Sequence, residues 1–528
     1  MILEKTYSKK VGISHRKKYA QFFTPEEVAE VMVDWVLKNK SLKKVLEPAF
    51  GLGVFSRLIL KQSPNLEIKG FDVDPLIFED ANRSFRDFSN VNIILEDYLF
   101  SDWSNKYDGI LCNPPYFKFH DYENKKALKE IRERLKVNLN GFTNIYTLFL
   151  LKSIYQLNEG GKAAYIIPSE FLNSDYGTYI KEYLIKSNAL KHIIIFDFKE
   201  NIFDDALTTS AILLLSKDNN SSSVSFTTIE NRLQFERIKS QIKNCQTEGF
   251  SKPINNKDLN PNIKWRAYYQ EQLSKNYKNL VPFKKVAKVV RGIATGANEY
   301  FIFNKEKSER LNISHDSLLP CITKSKDVNS PFFTTEQFEK LVNTNANIYL
   351  FNAGKVPTNN NTLNYIALGE KEGINKRFLT SRRNPWFINE NRPPSPIWVS
   401  VFNRNKVKFI RNEVEISNLT TFHCIYLKTD LFSSIDVDLL FAYLLTDIAG
   451  EIFSDNRREY GDGLKKFEPN DLNNGLMLDL SLLTEEEKDD IKTLYYAYRE
   501  SVIKGKEKKP YLEEIEGILK KKYEAEQK

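Results

Sequence analysis

The sequence has few of the residues that staple small folds or hold metals. Four cysteines and five histidines occur in 528 residues. Cys112, Cys245, Cys321 and Cys424 are scattered, whereas a zinc knuckle needs paired ligands a few residues apart. The same scarcity excludes a disulfide scaffold and fits a reducing, cytoplasmic setting without a metal site. No apolar run approaches the ~18 residues that a membrane span needs. The first twenty residues are basic but lack the apolar stretch of a secretory signal. No repeat shows at a spacing of roughly 20–50 residues.

What is present is an ordinary globular composition, 41% hydrophobic and 28% charged. At roughly 150 residues per domain, the length predicts two to four domains. The charge is unevenly placed. Residues 251–400 hold 23 Lys and Arg against 12 Asp and Glu, an excess larger than the +8 of the whole chain. A polyanion is the natural partner of such a block, and a solvated surface balanced across the fold is the alternative.

The first half alternates. Short β-rich runs fall at Lys44–Leu46, Glu67–Phe71, Val91–Leu95, Gly109–Cys112, Ala163–Ile167, His192–Phe196 and Ala211–Leu215, with one more at Val224–Ile229. Helix-patterned stretches such as Glu26–Leu37, Phe55–Lys61 and Tyr146–Gln156 lie between most of them. This alternation predicts an α/β fold with a doubly wound sheet, which binds ligands beyond the carboxyl ends of its strands.

Those strand ends carry the chemistry. Thr24, Pro25 and Glu27 open the first strong helix as a capping box, with Thr24 at the N-cap. Glu47 ends the first strand, and Gly51 and Gly53 follow in a turn that lets backbone approach a ligand. Ser56 stands where a dinucleotide fingerprint has its third glycine, and Glu47 would repel a pyrophosphate. Asp72 ends the next strand about 20 residues on, the distance of a ribose-binding acid. Asp97 ends the third and is placed to accept from an exocyclic amine, with Tyr98 beside the ring. Each acid alone reads as a solvated loop residue. Three at successive strand ends describe a pocket for a positively charged nucleoside.

The most specific signal is Asp108 to Tyr116, a buried strand running into Asn113-Pro114-Pro115-Tyr116. The prolines fix φ and remove two N–H donors. Nearby carbonyls are then free to accept, and Asn113 adds a side-chain acceptor. Two acceptors aimed at one planar amino group raise the lone-pair density on its nitrogen, which suits methyl transfer to a conjugated amine. Tyr116 supplies a flat face for a ring.

In this order, Glu47 to Gly53, Asp72, Asp97 and Asn113 to Tyr116 resemble the S-adenosylmethionine-dependent amino-methyltransferases of DNA. Phe23-Thr24-Pro25 ahead of the glycine turn and a basic region behind resemble the gamma class of N6-adenine enzymes, the group containing the TaqI enzyme. Residues 141–146, 166–169, 201–203 and 209–212 extend the resemblance over about residues 18–216. It implies a Rossmann-like methyltransferase sheet with a C-terminal mixed α+β DNA-recognition domain. It also implies that Thr24, Glu47 and Phe50 hold the methionine part of S-adenosyl-L-methionine beside Gly51 and Gly53. Asp72 would bind ribose, and Asp97, Tyr98 and Phe149 would enclose the cofactor adenine. Asn113 and the Pro114 carbonyl would hold the target amine, with Tyr116 and Phe203 sandwiching a base flipped out of double-stranded DNA.

The second half is Asn-rich and aromatic. The strand ending at Arg291 and its glycine-bounded turn resemble the opening of the family's target-recognition region, and residues 457–464 resemble its close. Between them Lys376, Arg377, Arg382, Arg383, Arg392, Arg404 and Arg411 mix with Trp386 and Trp398, a blend suited to phosphate contacts and base-edge reading. The expected organisation is a catalytic domain over 1–240, a linker over 241–275, a recognition domain over 276–483 and a surface helical tail over 484–528. The expected protein is a monomeric, adenine-specific DNA methyltransferase within or related to a restriction–modification system, with a separate cognate endonuclease as a partner. An N4-cytosine DNA or RNA amine, a protein amide target, and a non-catalytic DNA specificity subunit are the alternatives.

Overall fold

The computed structural model describes the chain apart from residues 1, 118–123, 140, 142, 175, 197–209, 219–221, 245, 247–249, 391, 405, 429–434, 461–463, 507–508 and 525–528. The chain divides into two compact units, the first covering Met1–Glu271 and the second Gln272–Glu459 with Leu464–Lys528.

The first unit opens with helices α1 (Ile2–Lys10), α2 (Ile13–Lys18) and α3 (Glu26–Leu37). Strands β1 (Lys44–Glu47), β2 (Glu67–Asp72), β3 (Val91–Leu95) and β4 (Tyr107–Cys112) follow, with α4 (Val54–Gln62) and α5 (Pro75–Phe85) as crossovers. Next come α6 (Asn124–Leu135), α7 (Ile145–Gln156), β5 (Leu157–Pro168) and α8 (Gly177–Ser187). β6 (Leu190–Phe196), β7 (Ser210–Ser216), β8 (Ser223–Ile229), α9 (Arg232–Lys243) and β9 (Ile254–Asn255) close the unit.

One nine-stranded sheet results, in the order β3-β2-β1-β4-β5-β7-β6-β8-β9. Strands β1 to β5 are parallel, and β7 runs antiparallel between β5 and β6. The chain winds outward from β1 through β2 and β3, then returns to add β4 and β5 on the other side of β1. The order reverses between β1 and β4, which opens a crevice beyond their carboxyl ends.

Both faces of this sheet are covered, which explains the near-continuous apolar strands. Leu46, Ile110, Cys112 and Tyr165 point into one core with α7, while Val45, Leu111, Ala164 and Ile166 point into the other with α3 and α4. The expected linker is partly built into this unit. Ile242 at the end of α9 packs in one core, and Leu259 and Trp265 reach the other, Trp265 at 0% exposure. Its few large anchors are irregularly spaced, so no period announced them.

The second unit is mixed α+β. A five-stranded sheet is ordered Ala287–Arg291, Phe422–Leu427, Ile397–Ser400, Phe409–Asn412, Phe332–Phe333, and a four-stranded sheet is ordered Ile302–Phe303, Tyr349–Phe351, Leu318–Ile322, Ser417–Asn418. The expected surface tail forms two helices, Glu485–Ile503 and Lys509–Glu524. Their apolar stripe (Ile491, Tyr495, Tyr498, Ile515, Leu519 and Tyr523) is buried in this unit's core. The segment is therefore structural; its charged outer face had masked the stripe. Among the described residues, no helix is long and apolar enough to cross a membrane.

Candidate active site

β1 delivers Glu47 to the crevice, β2 Asp72, the turn after β3 Asp97, and β4 Asn113. These residues and the segment 19–24 line one cleft with about 930 Å³ of atom-free space, its open mouth included. Phe71, Ile77, Ile145 and Phe149 give it apolar walls.

The two deepest acids lie where a carboxylate is costly without a partner cation. Burial pushes Glu47 up to about 8, although the Ser56 amide (3.1 Å) and hydroxyl both donate to its Oε2. Burial likewise raises Asp72 to about 6 against hydrogen bonds from the amides of Gly51 (2.8 Å) and Asp74 (3.0 Å). Asp97 accepts from the Leu99 amide at 2.9 Å. Tyr98 is buried, its hydroxyl donating to Gln156 (2.7 Å) and its ring centroid 5.2 Å from that of Phe149. Gly51 and Gly53 have φ of 55° and 70°, the left-handed region that a side chain disfavours.

Asn113 leaves β4 with its amide oriented. The side-chain nitrogen donates to the Phe22 carbonyl at 2.8 Å and to the Thr24 hydroxyl at 3.0 Å. A backbone carbonyl can only accept, so the nitrogen must face Phe22 and the oxygen must face away. That oxygen, Oδ1, is buried and has no hydrogen-bond partner among the described residues. Buried acceptors are normally paired, so an orphan marks a place for a donor. Nearby, the Tyr116 hydroxyl donates to the Ile166 carbonyl at 3.1 Å, and its ring lies near-parallel to Phe22, with centroids 5.9 Å apart at 18°. Burial raises the phenol's pKa, which keeps it neutral.

Several expectations change in detail. Thr24 does not cap α3: the helix starts at Glu26 after an extended Pro25, without a side-chain cap. The Thr24 hydroxyl is instead spent on Asn113. Phe50 lines the cleft, but its ring packs on Phe85 at 5.2 Å and over Gly70, within the core. Gly53, Pro114 and Tyr116 are not among the lining residues, whereas Pro115 and Phe117 are. A Cβ on Gly53 would come within 2.6 Å of both the Phe50 and Phe85 rings, so this glycine serves packing. Phe203 lies outside the described residues.

Sequence reasoning missed Ser56, Phe22, Gln21 and Asp74. Asp74 accepts from Gln21 (2.5 Å) and Tyr7 (3.3 Å), pairs with His15 (2.8 Å) and caps α5 through the Leu76 amide (3.1 Å). A Glu4–Arg57 ion pair adds a second tie between α1 and α4. The N-terminal segment is thus strapped to the β1 and β2 connections. Only Asp74-Pro75, a cap before a helix, was visible as a local signal.

The basic residues of the second unit differ in how they are held. Arg291 pairs with Glu468 at 2.8 Å, Arg377 with Glu299 and Arg392 with Glu390. Arg383 donates to the Ala294 carbonyl and to Asn389 (3.1 Å), and burial lowers its pKa. Arg411 pairs with Asp438 at 3.1 Å. Lys376, Arg382 and Arg404 are exposed, and no ion pair involves them among the described residues. The Arg382 guanidinium sits 3.8 Å from the centroid of the exposed Phe378 ring.

Residues 9–288 match the N-6 DNA Methylase family, and residues 266–506 match the C-terminal domain of the Type II methyltransferase M.Eco57I. The chain is 56% identical to the Type II methyltransferase M.AccI of Acinetobacter calcoaceticus over 528 residues, 99% of this chain and 96% of that protein. It is 24% identical to the Type II methyltransferase M.HindII of Haemophilus influenzae, covering 78% of this chain and 74% of the relative. Among solved structures, the cryo-EM DrdV–DNA complex is similar at a TM-score of 0.55 and 13% identity, over 94% of this chain and 58% of that chain. A nuclease-deletion mutant of the Type ISP restriction–modification enzyme LlaGI, in complex with a DNA substrate mimic, is similar at 0.52 and 14%, over 91% of this chain and 54% of that chain. The chain spans less than two thirds of those solved chains, and that likeness concerns the fold alone. The chain belongs to the N-6 DNA methylase family. Within it, the protein is a Type II DNA methyltransferase.

Proposed function

We propose that the first unit moves a methyl group from S-adenosylmethionine to the N6 amine of an adenine turned out of duplex DNA, while the second unit selects the sequence. The observation that carries this reading is the carbonyl oxygen of Asn113, fixed in direction and without a donor among the described residues. The protein is the methyltransferase of a Type II restriction–modification system. Adenine is favoured over cytosine by the family it belongs to, and the gamma-class motif order agrees.

The cleft suits the donor molecule. Two acids that burial holds above their usual range, with the nearby Arg57 already paired to Glu4, favour an ammonium and a sulfonium, and the apolar walls favour a purine. Glu47 would face the methionine end, with Thr24 and Phe50 shaping it beside Gly51. Asp72 would hold the ribose, and Asp97, Tyr98 and Phe149 would enclose the adenine. When bound, the sulfonium supplies an activated methyl carbon.

This chain's residues then act on the target. Asn113 Oδ1 and the Pro114 carbonyl each accept one amino hydrogen, which localises the lone pair on nitrogen for attack. Tyr116 offers one face to the extruded base, with Phe203 on the other. Flipping costs a few kcal/mol, and stacking of about 1–3 kcal/mol per base offsets much of it. Arg291, Lys376, Arg377, Arg382, Arg383, Arg392 and Arg404 bind the duplex, mostly by positioning it. The enzyme works in the cytoplasm as a monomer, alongside a separate endonuclease of the same specificity.

The test is direct. Purified protein is incubated with duplex DNA and labelled S-adenosylmethionine, and the DNA is digested to nucleosides. N6-methyladenine within one short motif is expected. N4-methylcytosine, or no transfer to any duplex, overturns the reading.

A further inference from the structure

We infer that Thr24 is a positioning residue for methyl transfer: its hydroxyl and the Phe22 carbonyl hold the Asn113 carboxamide so that Oδ1 alone faces the incoming amine. This rests on the reading of Asn113 as the amine's acceptor.

A carboxamide on a strand end has two near-isosteric orientations, and only one presents oxygen. The other presents an NH2 group to the substrate's NH2 group, donor against donor. β4 does not decide between them, because the two partners of the Asn113 nitrogen come from 89 and 91 residues upstream. Phe22 offers an obligate acceptor at 2.8 Å. Thr24 occupies the second N–H direction at 3.0 Å and is itself 3% exposed. With both N–H bonds made, flipping the amide would leave the nitrogen at Oδ1's unpartnered place and the oxygen against the Phe22 carbonyl. That arrangement loses the Phe22 bond and sets acceptor against acceptor there, so the Phe22 carbonyl sets the sense of the amide, while the Thr24 hydroxyl, which can donate as well as accept, holds its plane.

The same short segment does two further things. Phe22, Phe23 and Thr24 line the cofactor cleft, and the Phe22 ring lies along Tyr116. The preceding residue, Gln21, is tied to Asp74 at the β2 connection. One strap therefore borders the donor, orients the acceptor amide and supports the base-stacking ring. The sheet supplies Asn113, and the N-terminal segment sets its direction.

The experiment compares wild type with Thr24→Val, Thr24→Ala, Thr24→Ser and Asn113→Ala. It measures single-turnover methylation at saturating S-adenosylmethionine and duplex, and the Kd for S-adenosylhomocysteine by calorimetry. The valine variant keeps shape and removes the acceptor; alanine is the second probe should valine disturb folding. About a tenfold loss of single-turnover rate is expected for both, the scale of one buried hydrogen bond. The loss should persist at saturating S-adenosylmethionine whatever the change in Kd, and serine should restore the rate. A wild-type rate in both variants overturns the inference, as does a weakened Kd with an unchanged saturated rate, which marks a cofactor contact only. Substantial activity in Asn113→Ala sinks the underlying reading instead, so the two failures are distinguishable.

Discussion

Gln21 and Asp74, 53 residues apart in sequence, meet at 2.5 Å, the glutamine amide donating to Oδ2 of the carboxylate. The same carboxylate receives the Tyr7 hydroxyl and His15, and its other oxygen caps α5. Asp74→Ala should lose both the strap and the cap. A stability loss of about 1–2 kcal/mol is expected in thermal melts. Cofactor affinity should weaken several-fold, because residues 19–24 form part of the cleft wall. Unchanged affinity in a binding titration would show that the segment seats itself without this tie.

The buried acids give binding a pH dependence. Glu47 sits at about 8 and Asp72 at about 6, both above their ordinary values because burial disfavours the charge. Raised folded values mean that the ligand-free fold binds extra protons, so it loses stability as pH rises from about 4 toward 8. A cationic ligand favours the ionised acids and counters that loss. Affinity for S-adenosylmethionine should therefore rise between pH 6 and 8, by at most about tenfold per pH unit for each proton released. Calorimetry in buffers of different ionisation enthalpy reads the proton release directly. Glu47→Gln should flatten the profile; a flat wild-type profile contradicts the account.

The catalytic turn separates binding from chemistry. Asn113→Ala should fold normally, bind the cofactor and lose about 10²–10³ in single-turnover rate, the scale of removing one preorganised polar contact to a transition state. Tyr116→Ala should also bind the cofactor but lose most turnover on duplex DNA. A substrate with an abasic site or mismatch opposite the target adenine should recover part of that loss, because extrusion is then easier. Equal impairment on both substrates argues against a stacking role.

Gly53 is a packing position with a left-handed backbone. Gly53→Ala places a Cβ 2.6 Å from the Phe50 and Phe85 rings at φ 70°. A destabilisation of about 2–4 kcal/mol is expected from the overpacking and the backbone strain together. Chemical denaturation measures it; a change under 1 kcal/mol would mean that the turn relaxes freely.

Salt dependence can sort the basic residues of the second unit. Lys376 and Arg382 are exposed without ion pairs among the described residues, while Arg377 is paired with Glu299. Replacing a phosphate-contacting cation should reduce the slope of log affinity against log salt by about one. Lys376→Ala and Arg382→Ala should do so, and Arg377→Ala should reduce it less. Identical slopes in all three variants would show that the ion pair does not compete with DNA.

The β-strands of the first unit were legible because burial on both sheet faces leaves short, continuous apolar runs. β3 is read at its observed bounds, and the ends of the other seven expected strands fall short of the observed ones by six residues at β5 and by no more than two elsewhere. Expectation went astray where the signal was sparse or carried two meanings. Trp265 anchors a stretch without periodicity, and the stripe from Ile491 to Tyr523 hides among charges. Thr24 carried two meanings, since Thr-Pro-Glu-Glu is a sound helix opening and the hydroxyl is used elsewhere.

By itself, the sequence determined the alternation of strand and helix, the acids at successive strand ends, and the Asn-Pro-Pro-Tyr turn, because each is set by local backbone preference and burial pattern. Tertiary structure alone decided that the N-terminal segment meets β4, that Asp74 ties it down, and that Asn113 turns its oxygen away from Phe22. Those contacts join residues dozens of positions apart, and local preference carries no information about which distant acceptor a side-chain amide will find.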